Sequence, residues 1–297
     1  MKKVIFKGAG VAIVTPFDKN GEVDYSEFAR LIEFQIANDT DAIIVCGTTG
    51  EAATLSEAER AACVQFAVGQ VAGRVPVIAG SGSNSTAHAV ESTRLVKELG
   101  ADAALVVTPY YNYNKPAQEG LYRHYMTIAD SCDIPLIVYN VPSRTGTNIL
   151  PETYARLCRH PNINSVKEAN GNMPAMIRTV ALCGDNINIY SGEDPIIVPM
   201  LCMGALGVIS VLSNVCPKQT HDLCRLWFEG KAKEAAALQT EYSALISALF
   251  CDVSPIPVKA ALNMMGYNVG QCRLPLAEMS EQGLKQLTDA MRAIGLL

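Results

Sequence analysis

The chain lacks the sequence features of several large classes of protein. No stretch approaches the roughly 20 consecutive apolar residues that cross a bilayer. The N-terminus has neither the apolar region nor the small-residue cleavage site of a secretory signal. The ten cysteines are scattered singly and form no C-x-x-C pair, which favours buried, reduced thiols over a disulfide framework. We therefore predict a cytoplasmic protein that does not associate with membranes.

Motifs for metals, nucleotides and nucleic acids are also missing. The four histidines lack metal-ligand spacing, and the chain contains no P-loop and no G-x-S-x-G elbow. The segment Gly80-Ser-Gly-Ser-Asn-Ser85 begins like a dinucleotide loop but lacks the third glycine. A net charge of −5 disfavours binding to a phosphate backbone. These absences predict no metal and no nucleic-acid partner.

What the chain does contain is a strict alternation of apolar, strand-length runs with amphipathic, helix-length segments. Near-continuous apolar runs are typical of strands buried on both faces of a parallel sheet. A capping box at Ser56-x-x-Glu59 precedes a predicted helix at 61–71, and Asn84 or Ser85 is expected to cap the next helix. The predicted strands are 11–15, 42–46, 75–79, 103–108, 136–140, 163–167, 187–191 and 206–211.

Eight such units predict an α/β fold, a (β/α)8 TIM barrel, with a doubly wound open sheet as the weaker alternative. The pattern changes near residue 230, after which only helices are predicted, at 231–249, 256–265 and 282–297. We therefore predict a catalytic barrel domain over residues 1–229 and a C-terminal helical domain, an extension of the barrel, over residues 230–297.

Polar residues gather where the predicted strands end, which is where barrel active sites lie. Lys167 closes an apolar strand, where an unpaired charge is costly to bury. A lysine at a strand end often only reaches solvent, but tyrosines, an arginine and paired hydroxyls end neighbouring strands here. An amine nucleophile must be neutral, which requires desolvation or a positive neighbour. A barrel mouth provides desolvation, so the sequence favours amine chemistry at Lys167.

Three further motifs surround this lysine in the predicted barrel. The turn Gly47-Thr-Thr-Gly-Glu51 offers backbone N–H groups and the hydroxyls of Thr48 and Thr49 to a carboxylate, although ordinary turns have similar composition. Tyr139 can transfer protons to or from an intermediate on the lysine, or it can be a packing residue. Arg144 is either a surface arginine or a bidentate clamp for a substrate carboxylate.

Together these motifs resemble the dihydrodipicolinate synthase/N-acetylneuraminate lyase family along nearly the whole chain. The resemblance implies a (β/α)8 barrel with a C-terminal helical domain and class I lyase chemistry, in which pyruvate forms a Schiff base with a lysine. Relative to the family pattern, Tyr113-Asn114 is a short insertion. The matching motifs are Gly47-Thr-Thr-Gly-Glu51, Thr108-Pro-Tyr-Tyr-Asn112, Tyr139-Asn-Val-Pro142, Val166-Lys-Glu168 and Ser191-Gly-Glu-Asp194.

The resemblance also implies catalytic roles. Lys167 would form the imine, so no separate cofactor would be required, and Tyr139 would be the general acid/base. Thr48 would link Tyr139 by hydrogen bonds to Tyr111, which in this family usually reaches in from a neighbouring subunit. A hydroxyl relay of this kind moves protons without adding charge. The implied assembly is a homotetramer built from tight dimers.

Substrate contacts follow from the same resemblance. Thr49, with Thr48, would hold the pyruvate carboxylate, and Gly192 and Ile209 would line the pocket. In the synthase branch, an arginine in the context Pro142-Ser-Arg-Thr-Gly146 binds the carboxylate of aspartate semialdehyde. Arg144 therefore favours condensation of pyruvate with aspartate semialdehyde to 4-hydroxy-tetrahydrodipicolinate, a precursor of diaminopimelate and lysine. The alternatives are a pyruvate-dependent aldolase acting on a 2-keto-3-deoxy sugar acid or hydroxy-oxoglutarate, and a catalytically silent small-ligand-binding barrel.

Members of the family that are inhibited by lysine bind it at the tight-dimer interface. Asn84 and Tyr110 match that site, whereas Ala52, Glu57 and His88 depart from it. Replacing a usual glutamate by His88 removes a countercharge for the lysine ammonium at that position. We therefore expect weak or absent inhibition by lysine.

Overall fold

The computed structural model describes residues 2–111 and 118–297, and its central feature is a closed barrel of eight parallel strands. The strands are hydrogen-bonded in chain order, and the last pairs with the first. This confirms the predicted (β/α)8 fold and excludes the doubly wound sheet. The strands are β1 (Gly8–Ala12), β2 (Ala42–Val45), β3 (Val77–Gly80), β4 (Ala103–Val107), β5 (Leu136–Asn140), β6 (Ile163–Glu168), β7 (Asn188–Ser191) and β8 (Gly207–Ser210).

Helices separate the strands and continue beyond β8 to the C-terminus. Within the described residues, no helix is both long and apolar enough to cross a membrane. The helices are α1 (Tyr25–Ala37), α2 (Glu57–Val71), α3 (Thr86–Glu98), α4 (Gln118–Ser131), α5 (Pro142–Thr145), α6 (Pro151–Leu157), α7 (Met173–Cys183), α8 (Ile197–Cys202), α9 (Pro217–Phe228), α10 (Ala232–Glu241), α11 (Ser243–Ala248), α12 (Ile256–Met264) and α13 (Glu281–Ala293).

The predicted helix starts are largely correct. Ser56 caps α2 in a complete capping box with Glu59. Ser85, rather than Asn84, caps α3 by accepting a hydrogen bond from the backbone N–H of His88. The predicted helix at 231–249 is instead two helices, because the chain bends at Tyr242, where ψ is 1°. After the bend, α11 buries most of its apolar residues, whereas α10 buries Ala235 alone.

The first strand was predicted at 11–15 but begins three residues earlier, and glycines explain the error. Gly8 and Gly207 both have positive φ, and a Cβ on Gly207 would lie 1.8 Å from the carbonyl oxygen of Gly8. A Cβ on Gly10 would lie 2.7 Å from Cδ1 of Ile44. These glycines therefore allow β1 to pack closely against its neighbours in the barrel, rather than marking a turn.

Side chains from alternate strand positions fill the barrel interior. At one end the Phe6 ring stacks on Tyr190 with centroids 4.2 Å apart, and the Tyr190 hydroxyl donates to the Phe6 carbonyl at 2.6 Å. These apolar layers lie beneath the strand ends that carry the polar residues, and they give those residues a rigid support. The buried interior residues include Phe6, Ala12, Ile44, Ile78, Leu105, Ile137, Tyr139, Tyr190 and Ile209.

A buried ion pair joins the C-terminal helices to the barrel mouth. Lys259 on α12 places its Nζ 2.6 Å from Oε1 of Glu51, and both side chains are at most 2% exposed. The other carboxylate oxygen of Glu51 accepts a hydrogen bond from the backbone N–H of Arg273 at 2.9 Å. Burial lowers the pKa of Lys259, although Glu51 acts in the opposite direction. The loop that carries Thr48 and Thr49 is thus fixed by residues from the C-terminal region.

We expect Lys259→Met to reduce the free energy of unfolding by about 3–5 kcal/mol, because it leaves the Glu51 carboxylate buried without its partner. The double variant Glu51→Gln/Lys259→Met should recover part of that loss, since no charge remains unpaired. Urea unfolding measures both values. Lys231→Met, at a lysine that is 52% exposed, is the control. A loss for Lys259→Met as small as that for Lys231→Met would contradict the prediction.

Candidate active site

Lys167 and Tyr139 lie side by side inside the barrel. They are register partners on β6 and β5, so both side chains leave the sheet on the same face. Lys167 Nζ lies 4.2 Å from the centroid of the Tyr139 ring. Lys167 is 6% exposed and Tyr139 is 5% exposed. In the described part of the chain Lys259 is buried against a carboxylate, whereas no carboxylate forms a salt bridge with Lys167.

Gly192 provides the space that the Lys167 side chain occupies. The Gly192 N–H donates to the Glu168 carbonyl at 2.7 Å, which holds the end of β7 against β6. A Cβ at position 192 would lie 3.1 Å from Cγ of Lys167 and 2.8 Å from Cβ of Ala169. Any larger residue would therefore push the lysine out of place. Ile209 is 1% exposed and belongs to the interior cluster that contains Tyr139 and Ala169.

The two threonines after β2 face the same cavity as Lys167 and Tyr139. This cavity, which we call the lysine cavity, has a volume of about 770 Å3 and is also lined by Arg144 and Gly192. Thr49 is buried and Thr48 is exposed in the single chain. Within the described residues no hydrogen bond joins Thr48 to Tyr139. The expected proton relay through Thr48 therefore stays a prediction.

Tyr111 lies at the rim of an adjoining hollow of about 720 Å3 that shares Thr48, Tyr139 and Arg144 with the lysine cavity. Its side chain is 89% exposed and its φ is +77°. Tyr111 is thus an exposed aromatic side chain on a left-handed backbone at the edge of the site. The predicted insertion at Tyr113-Asn114, like Asn112, lies outside the described residues.

Arg144 lies at the mouth of the lysine cavity on the one-turn helix α5. This helix starts with Pro142 and ends at Gly146, whose φ is +69°. The hydroxyl of Thr145 accepts a hydrogen bond from Thr108 at 3.0 Å, which ties α5 to the end of β4. The exposed guanidinium donates to the carbonyl of Ser254 at 3.4 Å, so most of its donors have no partner among the described residues.

Glu168 is the last residue of the motif Val166-Lys-Glu168, and its role in the structure is to hold neighbouring elements together. It follows Lys167 on β6 and therefore faces the helix layer. Its carboxylate accepts hydrogen bonds from the Asn140 amide at 2.9 Å and from the Tyr154 hydroxyl at 3.0 Å. Burial raises its pKa to about 7. These bonds join β5, β6 and α6 behind the pair formed by Lys167 and Tyr139.

Two of the three residues that depart from the family's lysine site, Glu57 and His88, lie close together. Nε2 of His88 lies 3.2 Å from Oε1 of Glu57, and both line a small hollow of about 90 Å3 with Arg60 and Gly80. The carboxylate that the family usually has at position 88 therefore stands at position 57 in this chain. The countercharge is moved rather than lost, which corrects the expectation that it is absent. What has changed is the position of the carboxylate, and weak inhibition by lysine stays a prediction.

We expect added lysine to inhibit turnover only at millimolar concentrations or above, because the carboxylate stands at position 57 rather than at the usual position 88. Initial rates measured across a lysine titration test this expectation. The variant Glu57→His/His88→Glu, which restores the usual arrangement, is the comparison and should be inhibited more strongly. Inhibition of the natural chain at micromolar lysine would contradict the prediction.

The chain is similar to known proteins over its whole length. The model of the dihydrodipicolinate synthetase family matches residues 5–294. The 4-hydroxy-tetrahydrodipicolinate synthase of Acetivibrio thermocellus is 50% identical over 297 residues, which cover 100% of both chains. The crystal structure of dihydrodipicolinate synthase from Thermotoga maritima superposes with a TM-score of 0.95 at 45% identity, covering 99% of this chain and 100% of that one. A monomeric dihydrodipicolinate synthase variant has a TM-score of 0.95 at 45% identity, with 99% and 98% covered.

Proposed function

Because this chain belongs to the dihydrodipicolinate synthetase family, we propose that it condenses pyruvate with aspartate semialdehyde through a Schiff base on Lys167. The chain is a lyase of the diaminopimelate and lysine biosynthetic route. The finer assignment, to Lys167 and to individual site residues, is our proposal. The observation that carries it is the buried Lys167 beside Tyr139, at a cavity whose mouth holds Arg144.

The first half-reaction forms the imine. The carboxylate of pyruvate lies against the loop of Thr48 and Thr49, and Nζ of Lys167 attacks the ketone carbon. The carbinolamine then loses water, and Tyr139 delivers and removes the protons that these steps require. Loss of a methyl proton gives the enamine. The protonated imine on Lys167 is the electron sink, so the proposed reaction needs no separate cofactor.

The second half-reaction uses the enamine as a carbon nucleophile. Its methylene carbon attacks the aldehyde carbon of aspartate semialdehyde, and the new alkoxide takes a proton. Arg144 holds the substrate carboxylate through paired N–H donors. The substrate amino group then attacks the imine carbon, closes the ring and displaces Lys167. The free lysine is regenerated, and the product is 4-hydroxy-tetrahydrodipicolinate.

Borohydride trapping with pyruvate, followed by mass spectrometry of the modified peptide, tests the proposal. A reduced pyruvate adduct on Lys167, together with turnover that depends on aspartate semialdehyde, is the expected result. An adduct without that turnover would instead favour the aldolase that acts on a sugar acid. If no adduct forms, the chemistry is wrong and the silent barrel becomes the better interpretation.

We propose further that the assembly is a homotetramer of tight dimers in which Tyr111 of each chain completes its partner's relay. The exposure of Tyr111 beside the hollow that adjoins the lysine cavity supports this arrangement. Light scattering measures the assembly size. Cytoplasmic location, predicted from cysteine usage, stays a prediction.

A further inference from the structure

The lysine cavity contains one carboxylate that the proposed reaction does not use. Among the described residues that line it, Lys167 and Arg144 are the cations, and Glu193 is the single acid. The Glu193 side chain accepts no hydrogen bond and forms no salt bridge within the described part of the chain. Burial, together with the neighbouring Asp194, raises the pKa of Glu193. A partly desolvated carboxylate without a partner favours a cationic ligand.

Hydrogen bonds hold the loop around Glu193, and Glu193 lines the same cavity as Lys167. The Ser191 hydroxyl donates to the Glu193 carbonyl at 2.8 Å and accepts from the Glu193 N–H at 3.3 Å. A Cβ at Gly171 would lie 3.4 Å from Oε2 of Glu193, so the carboxylate lies beside the loop that follows β6. The preceding residue, Gly192, is the one packed against Lys167.

We propose that the carboxylate of Glu193 binds the α-ammonium of the second substrate while Arg144 binds its carboxylate. Aspartate semialdehyde is an α-amino acid with an aldehyde side chain, so it brings one charge of each sign into the cavity. Arg144 can pair only with the negative charge, which is the substrate carboxylate. The inference rests on the proposed function and makes Glu193 a binding residue for the second substrate, because the ammonium is the positive charge of aspartate semialdehyde.

A charge-assisted contact of this kind changes affinity by roughly 10- to 100-fold. We therefore expect Glu193→Gln, which keeps the shape of the side chain and removes its charge, to raise the KM for aspartate semialdehyde by about that factor. The KM for pyruvate and the yield of the trapped pyruvate adduct should stay within about twofold, because the first half-reaction involves no ammonium. Glu193→Asp keeps the charge and should raise the KM for aspartate semialdehyde less than Glu193→Gln does.

The probe 4-oxobutanoate separates recognition of the ammonium from a structural role. It retains the aldehyde and the carboxylate but lacks the amino group. We expect its inhibition constant to be the same for the natural chain and for Glu193→Gln. Equal weakening of 4-oxobutanoate and aspartate semialdehyde would overturn the inference, and so would an unchanged KM for the semialdehyde. Failure to trap pyruvate on the natural chain would instead refute the proposed function, independently of Glu193.

Discussion

Lys167→Ala is expected to abolish the borohydride-trapped pyruvate adduct and to lower turnover by about 1000-fold or more, because the variant has no amine with which to form the imine. No other lysine lines the described part of the lysine cavity, so another amine cannot easily replace it. Initial rates with both substrates and mass spectrometry after trapping measure the two effects.

Lys231→Ala is the matched control for this variant. Lys231 is 52% exposed and pairs at the surface with Glu229 at 2.7 Å, so its removal should leave both turnover and trapping unchanged. Circular dichroism should show the same helix content in both variants. Retention of more than a few per cent of turnover by Lys167→Ala would remove this lysine from the mechanism.

Arg144→Ala is expected to leave trapping of pyruvate intact while lowering kcat/KM for aspartate semialdehyde by roughly 100-fold or more, since losing a charged clamp for a carboxylate costs at least 2 kcal/mol or so. The two half-reactions use different groups of the cavity, because Arg144 lies on α5 and Lys167 lies on β6. Separate measurement of trapping and condensation therefore distinguishes the two roles.

Arg144→Lys and Arg178→Ala are the comparison variants for Arg144→Ala. The first keeps a charge but loses the planar pair of donors, so it should recover only part of the activity. The second removes an arginine that is 62% exposed and pairs with Glu152, and it should change nothing. If condensation survives in Arg144→Ala, the carboxylate is held elsewhere, and the aldolase alternative is strengthened.

The barrel was predictable because most strands are buried on both faces and have a nearly continuous apolar sequence. The prediction failed where local sequence does not determine the packing. Gly8 and Gly10 resemble turn residues, but they lie in β1 because Asp41 and Ile44 approach too closely for a side chain. The bend at Tyr242 likewise depends on what α11 can bury, which is a property of the folded chain.

The candidate site was predictable to the extent that strand ends converge. Lys167 and Tyr139 end neighbouring strands, so their proximity follows from the topology. Gly192 entered only through resemblance, and its contact with Lys167 becomes visible only in three dimensions. Glu193 belongs to the motif Ser191-Gly-Glu-Asp194. Nothing in the local sequence shows that its carboxylate has no partner among the described residues. A role that depends on the lack of a hydrogen-bond or salt-bridge partner can be recognised only once the fold is known.

The ion pair between Glu51 and Lys259 has a consequence for how the chain holds together as a cooperative unit. A carboxylate with so little exposure cannot remain in place once α12 detaches, because water would have to enter the barrel mouth to solvate it. Local opening of the C-terminal helices would therefore also release the loop that carries Thr48 and Thr49. Amide protons in both segments would then exchange with one common opening free energy. The border near residue 230 separates two patterns of sequence, whereas the loop that carries Thr48 and Thr49 opens together with the helices that follow this border.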